Sequence, residues 1–470
     1  MMALRLNIDE ILKNFNFNKE AKIKLQHNTG NKVRILPFRA KFEEIYISNF
    51  KSIAGELSRI ITSKKLKDIY TADSICENII NNIEIKYEDK DIFRDLVKTL
   101  FFNKFNELEI FHPIIHNYIP LQNTEHRKIA SFLYSVLVNE EIKQVVMQTY
   151  DYKPKNIMLS LILESLPELS NEETIQDENY INYLPFVQTV FTEDLKFMLS
   201  NKKLYVEYFE EFIKYYFFFY VSQISRKLNQ MFNSDISRPD PLFFTLEGEK
   251  ISKSRTSYGI GWNLLSGNIA NLFSHAICLE LLNHTIENSS LKLSYVNIAQ
   301  IIEKMNAEEK QCFRSDIDRL LSLYKEHIQD IEWESFNLNY LHYEDDCLNK
   351  IYELLHAIEY QFAKSVGNRK SANQKYSKWF EDFCRKNFLK SHGPLGFTLT
   401  LSQEYLILIT RLCINNREKI GLKNLFLEFE RRGLFLDSDS RDSVIQLFDK
   451  LNILEKKSDS GDAQYVKAIL

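Results

Sequence analysis

The chain has 470 residues, 44% of them apolar and 26% charged, with an aromatic share of 13% led by 34 Phe and 24 Tyr. That is globular rather than disordered composition, with length enough for two or three domains. Only 12 Gly and 9 Pro leave little turn punctuation, which argues against an extended β architecture, and a net charge of −4 excludes a surface that is basic throughout.

Six cysteines, at 76, 278, 312, 347, 384 and 413, form no CxxC pair, so reduced buried thiols are expected rather than a disulfide framework. The opening MMALRLNIDEILKNFN carries acidic residues where a secretory signal is apolar. The most apolar run, Tyr215 to Val221, is too short to span a bilayer. A cytoplasmic protein with no membrane association is expected.

In chain order, residues 1–40 predict a short helix from Ile8 to Phe15 and a strand from Lys32 to Pro37, after the turn-like Asn28-Thr29-Gly30-Asn31. From about 41 to 232 the pattern is helical. Ile129, Leu133, Val136 and Leu137 follow Asn123-Thr124. Tyr205, Phe209, Phe212, Ile213, Tyr216, Tyr220, Ile224, Leu228 and Phe232 recur at steps of three and four. Such stripes face a core and speak of fold, not function. Segment 233–268 holds Pro239, Pro241, Gly248, Gly259, Gly261 and Gly267, and predicts an exposed, loop-rich connection between domains. Helical periodicity resumes over 269–285, 296–330 and 344–366.

After His392-Gly393-Pro394-Leu395-Gly396, Thr400 and Gln403 have capping-box spacing ahead of Tyr405, Leu406, Ile409, Leu412 and Cys413. A second helix carries Leu422, Leu425, Phe426 and Phe429 and stops at Gly433. A third follows Asp437-Ser438-Asp439 with Val444, Leu447, Phe448 and Leu451. Ile453 to Lys457 and Ala463 to Ala468 read as strands of a hairpin. The expected fold is therefore mainly α: an N-terminal helical domain (1–235), a middle helical domain (236–395) with a loop-rich entry and a basic C-terminal segment, and a winged helix-turn-helix-like domain (396–470).

Catalytic signals are at background. No GxxxxGK[ST] occurs, and Gly248-Glu249-Lys250-Ile251-Ser252-Lys253-Ser254 lacks the second glycine of a phosphate loop. His112-Pro113-Ile114-Ile115-His116 has one-turn spacing without the glutamate of HExxH, and His275, Cys278 and His284 lack a convergent further ligand. Pro239-Asp240 precedes Glu249-Lys250, but the residue between acid and lysine that a nuclease triplet needs is missing. Glu84-Ile85-Lys86 and Glu141-Ile142-Lys143 occur at chance frequency for this charge content. No metal, cofactor or small-molecule substrate is expected, and the chain is not expected to be an enzyme.

Local charge is more informative. Lys364, Arg369, Lys370, Lys375, Lys378, Arg385, Lys386 and Lys390 face only Glu381 and Asp382, with Tyr376, Trp379, Phe380 and Phe383 interleaved. Clustered cations neutralise phosphates and release counterions; the bland reading is a solvated helix face. Lys250, Lys253 and Arg255 form a weaker second patch. Residues 398–470 hold eleven basic and eleven acidic residues, and the third helix begins with Asp437, Asp439 and Asp442, which repel phosphates. Only Lys456 and Lys457 on the wing suit a backbone contact.

Asn182 to Phe186, Glu207 to Gln223, Lys250 to Trp262, Asn271 to His284, and above all Arg431-Arg432-Gly433 through Leu454 to Lys467 resemble the DptG (DndG) family of phosphorothioate-dependent restriction proteins. The likeness is strongest over 180–285 and 425–467. It implies partnership with DptF-like and DptH-like ATPase subunits in a complex that attacks DNA lacking the phosphorothioate mark, an antiphage defence. The family has no assigned catalytic residues to carry over. The expected function is thus a non-catalytic subunit that binds double-stranded DNA and bridges partners. The alternatives are a pure scaffold without DNA contact and, third, a metal-dependent nuclease.

Overall fold

The structure, a computed structural model, describes residues 4–17, 25–67, 70–172, 180–286, 292–337, 342–456 and 464–469. It is mainly helical, and none of its described helices is long and apolar enough to cross a membrane. Contacts group the chain into two units. Unit 1 comprises Met1–Ile47, Asp177–Val187 and Phe217–Leu470; unit 2 comprises Ser48–Gln176 and Gln188–Tyr216. The expected boundary at 235 and that at 395 both fall inside unit 1.

Unit 1 opens with α1 (Ile8–Asn14). Unit 2 follows with α2 (Phe50–Thr62), α3 (Ala72–Asn81), α4 (Lys90–Phe101), α5 (Thr124–Leu137), α6 (Glu140–Tyr150) and α7 (Ile157–Ser165). A short antiparallel pair, β1 (Lys64–Lys65) and β2 (Ser170–Asn171), joins them. α2 and α5 pack together, burying Ile53, Leu57, Ile60 and Ile61 on one helix and Ile129, Leu133, Val136 and Leu137 on the other. Asparagine starts many of these helices. Asn49, Asn123, Asn139 and Asn156 each accept an N–H that the first turn leaves unpaired. α8 (Pro185–Ser200) and α9 (Lys202–Gln230) have residues in both units. The aromatic stripe of α9 is buried as its spacing predicts, from Tyr205 to Leu228.

The rest of unit 1 contains β3 (Phe243–Leu246), α10 (Thr256–Tyr258), a π-helical turn (Gly259–Asn263), α11 (Leu264–Ala270), α12 (Leu272–Leu282), α13 (Tyr295–Lys304), α14 (Ala307–His327), α15 (Asp346–Lys364) and α16 (Asn368–Asn387). There follow β4 (Leu389–Ser391), β5 (Phe397–Leu401), α17 (Gln403–Ile414), β6 (Lys419–Gly421), α18 (Leu422–Arg431), β7 (Phe435–Leu436), α19 (Ser438–Lys450), β8 (Leu454–Lys456) and β9 (Gln464–Lys467).

Three expectations need correction. Segment 233–268 is not loop throughout: residues 234–241 and 247–255 are irregular and largely exposed, but β3 between them lies inside a four-stranded sheet of order β4-β5-β3-β7, parallel to β5 and β7, with Leu242 and Phe244 fully buried. Its run Leu242 to Leu246, apolar but for Thr245, is the signature of a buried parallel strand, masked by the flanking Pro and Gly. Lys32 to Pro37 is not a strand; Arg34 pairs with Tyr180 in an isolated bridge rather than in a ladder. The backbone N–H groups of Gly30, Asn31, Lys32 and Val33 all donate to the buried Glu280 carboxylate at 2.9–3.1 Å instead of to a ladder. Thr400 does not cap α17. It lies in β5 with its hydroxyl 2.9 Å from that of Thr245, and Ser402 is the cap.

In the C-terminal segment the three expected helices, α17, α18 and α19, precede the strands β8 and β9, and the strands β6 and β7 between the helices are not among those expected. β6, β9 and β8 form an antiparallel sheet in which β9 is central, with Ile420 opposite Val466 and Glu455 opposite Tyr465. Gly433 ends α18 at φ +77, as its C′ position requires. An added Cβ there would collide with the Phe219 ring, so glycine is needed twice over.

Candidate nucleic-acid interface

α16 sorts its residues by the helical period. Tyr376, Trp379, Phe380, Phe383 and Cys384 are buried, while Lys370, Lys375, Lys378, Arg385 and Lys386 all lie on the opposite, exposed side. The chain then runs into β4, which carries the exposed Lys390. Lys364, also exposed, closes α15 just before α16 begins.

The interleaved aromatics serve the core. The Trp379 ring stacks on Phe38 and Tyr46, with centroids at 5.7 and 5.0 Å, and its indole N–H donates to the carbonyls of Arg39 and Lys41 at 3.1 Å. Phe383 meets Phe217 edge-on at 4.8 Å. None of these rings is free to stack on a base. What α16 offers is cations alone, suited to a phosphate backbone rather than to unpaired bases.

Acids take three of the eight cations. Arg369 is on the inward side of α16 and pairs with Asp330 at 2.6 Å. Lys378 pairs with Asp382 at 2.6 Å along the helix. Lys386 pairs with Glu44 at 2.7 Å, and its hydrogen bond holds the Glu44 carboxyl below the usual range. Glu381 is pushed the other way, by burial and then by the charge of Asp382. Lys364, Lys370, Lys375, Arg385 and Lys390 make no ion pair among the described residues. Lys364 sits 5.9 Å from the Tyr360 ring and Arg385 5.2 Å from that of Phe397, contacts that orient a cation without cancelling its charge.

The second patch does not assemble. Lys250 and Lys253 are exposed, but the Arg255 side chain is only 8% exposed and sits among carboxylates: Glu249 at 2.8 Å, Asp437 at 2.6 Å and Asp439 at 3.4 Å. It also donates to Ser440 Oγ at 2.8 Å and to the Lys250 carbonyl at 2.9 Å. Burial works to raise the Asp437 pKa, but hydrogen bonds from Arg255, Ser257 and the Ser440 amide prevail and hold it far below the carboxylate range. Arg255 therefore ties the loop after β3 to the start of α19 and is withdrawn from any phosphate contact. Nothing in the local sequence signals this, because Asp437 lies 182 residues away. On the wing, Lys456 is exposed with Asp449 at 3.5 Å, and Lys457 lies outside the described residues.

No protein-family model and no curated protein matches this chain.

The histidines weighed as metal ligands are engaged otherwise. His112 caps the turn at Pro113, accepting from the Ile114 amide at 3.2 Å, with its other nitrogen 3.0 Å from the Tyr152 carbonyl. His116 donates to the Pro113 carbonyl at 3.0 Å, and burial lowers its pKa to about 4. His275 sits 3.1 Å from the Tyr295 hydroxyl and burial lowers its pKa to about 3. Cys278 is pushed up to about 12 by the same cause. His284 lies 2.7 Å from the Glu280 carbonyl. Among the described residues, no three His, Cys, Asp or Glu side chains converge on a point where a cation could sit.

Proposed function

We propose that this chain is a non-catalytic, DNA-binding and bridging subunit of a phosphorothioate-dependent restriction complex, resembling DptG. The observation that carries the DNA half is the open side of α16 with β4, where Lys370, Lys375, Arg385 and Lys390 are exposed and unpaired among the described residues. Sequence-independent affinity requires such a row, and the buried aromatics favour a duplex over a single strand. The C-terminal order of three helices and a three-stranded sheet supports reading 396–470 as a winged helix-turn-helix-like unit. Its third helix, α19, starts among Asp437 and Asp439, so docking of an ATPase partner suits it better than a groove full of phosphates.

A pure scaffold is the second reading. The ion pairs of Arg369, Lys378 and Lys386 favour it, because each cancels a charge the DNA reading would use. Mobility shift of the full chain with a duplex of arbitrary sequence separates the two. Retardation at low salt that is lost in Lys370→Glu/Lys375→Glu supports DNA binding. No retardation at any protein concentration leaves the scaffold.

A further inference from the structure

In unit 2, α4 has two apolar faces. Val97 and Phe101 are buried in a local core with Ile75, Ile79 and Ile162. Ile92, Leu96 and Leu100 recur every four residues on another side and are 70%, 48% and 55% exposed, and Phe105 just beyond the helix is 72% exposed. Positions four apart are neighbours on a helix surface, so these three form one stripe. A lone exposed leucine needs no explanation, but a contiguous apolar stripe marks a binding surface.

The borders of the stripe say what fits it. One border carries the exposed acids Glu88, Asp91 and Asp95; of these only Asp91 has an ion pair among the described residues, with Arg94 at 2.5 Å. The other border turns into the core at Phe93 and Val97. We propose that this face of α4 docks an amphipathic helix of a partner protein, one whose apolar stripe is flanked by Lys or Arg. Helices laid stripe to stripe bury the leucines, and the basic flank meets the acid row. A second copy of this chain is a poor occupant. An antiparallel pair about a twofold axis sets each acid row against its own copy, and a parallel pair sets it against an edge already committed to the core. The inference is independent of DNA binding, which concerns unit 1.

The probe is a synthetic 18-residue helical peptide with Leu at three- and four-residue steps and Lys elsewhere, compared with a counterpart carrying Glu for every Lys. Calorimetry with the full chain is expected to show the Lys peptide binding about tenfold or more tightly than the Glu peptide. Ile92→Ser/Leu96→Ser/Leu100→Ser should weaken the Lys peptide by about tenfold or more, as loss of a central apolar anchor does. These side chains are exposed, so unchanged circular dichroism and thermal midpoint confirm that the variant folds. Asp91→Lys/Asp95→Lys should reverse the preference between the peptides. Equal binding of both peptides, no binding of either, or an unaffected serine variant overturns the proposal. So does a concentration-dependent dimer that the serine variant abolishes, which assigns the face to a second copy.

Discussion

Arg255→Ala removes the cation from a site holding two nearly buried carboxylates, Glu249 and Asp437. Breaking a buried pair from one side costs about 3–5 kcal/mol, because the charges left behind stay desolvated. Both acids keep other donors: the Leu246 amide and Ser440 hydroxyl for Glu249, and the Ser257 and Ser440 amides for Asp437. The lower end, about 3 kcal/mol, is therefore expected. All three tryptophans, Trp262, Trp333 and Trp379, belong to unit 1, so tryptophan fluorescence in urea reports the unit concerned. The loss should also depend on pH. Asp437 is held below its unfolded value, so its contribution is complete above about pH 4 and fades as acid protonates it, and the gap between variant and parent closes there. A loss under about 1 kcal/mol at pH 7 would return Arg255 to the status of an ordinary surface pair and refute its role in tying the loop after β3 to α19.

Glu280→Gln removes the charge that four backbone amides address, and should cost about 1.5–3 kcal/mol in the same fluorescence assay. Gly433→Ala meets both a left-handed backbone and the Phe219 ring, and should cost about 2 kcal/mol or more. His116 is neutral in the fold down to about pH 4, whereas the unfolded chain takes the proton near 6.5. Stability should therefore fall as pH drops through that window, by about 2 kcal/mol at pH 5, and His116→Gln should flatten that fall in denaturation followed by circular dichroism.

Local physics was legible in the sequence and long-range pairing was not. The α9 stripe, the Gly433 stop and the Asp437 cap each depend on residues within a turn or two, and each stands where its spacing predicts. β3 was hidden because its partners, β5 and β7, lie more than 150 residues along the chain, and only their company turns Leu242 to Leu246 into a sheet interior. The basic segment shows in composition, and the helical period separates its aromatics from its lysines. Composition could not foresee that Glu44 and Asp330 arrive from remote segments to pair with Lys386 and Arg369, nor that Arg255 is enclosed by acids.

The most direct test of duplex binding by α16 is the salt dependence of affinity, read by fluorescence anisotropy of a labelled 24-base-pair duplex. Five unpaired cations, each releasing about 0.9 counterion, give a log–log slope of about −4 to −5 for the parent chain. Replacing Lys370, Lys375, Arg385 and Lys390 together by Glu should bring the slope to within about one unit of zero at unchanged thermal stability. A parent slope near zero, or one that the fourfold variant leaves intact, contradicts the account.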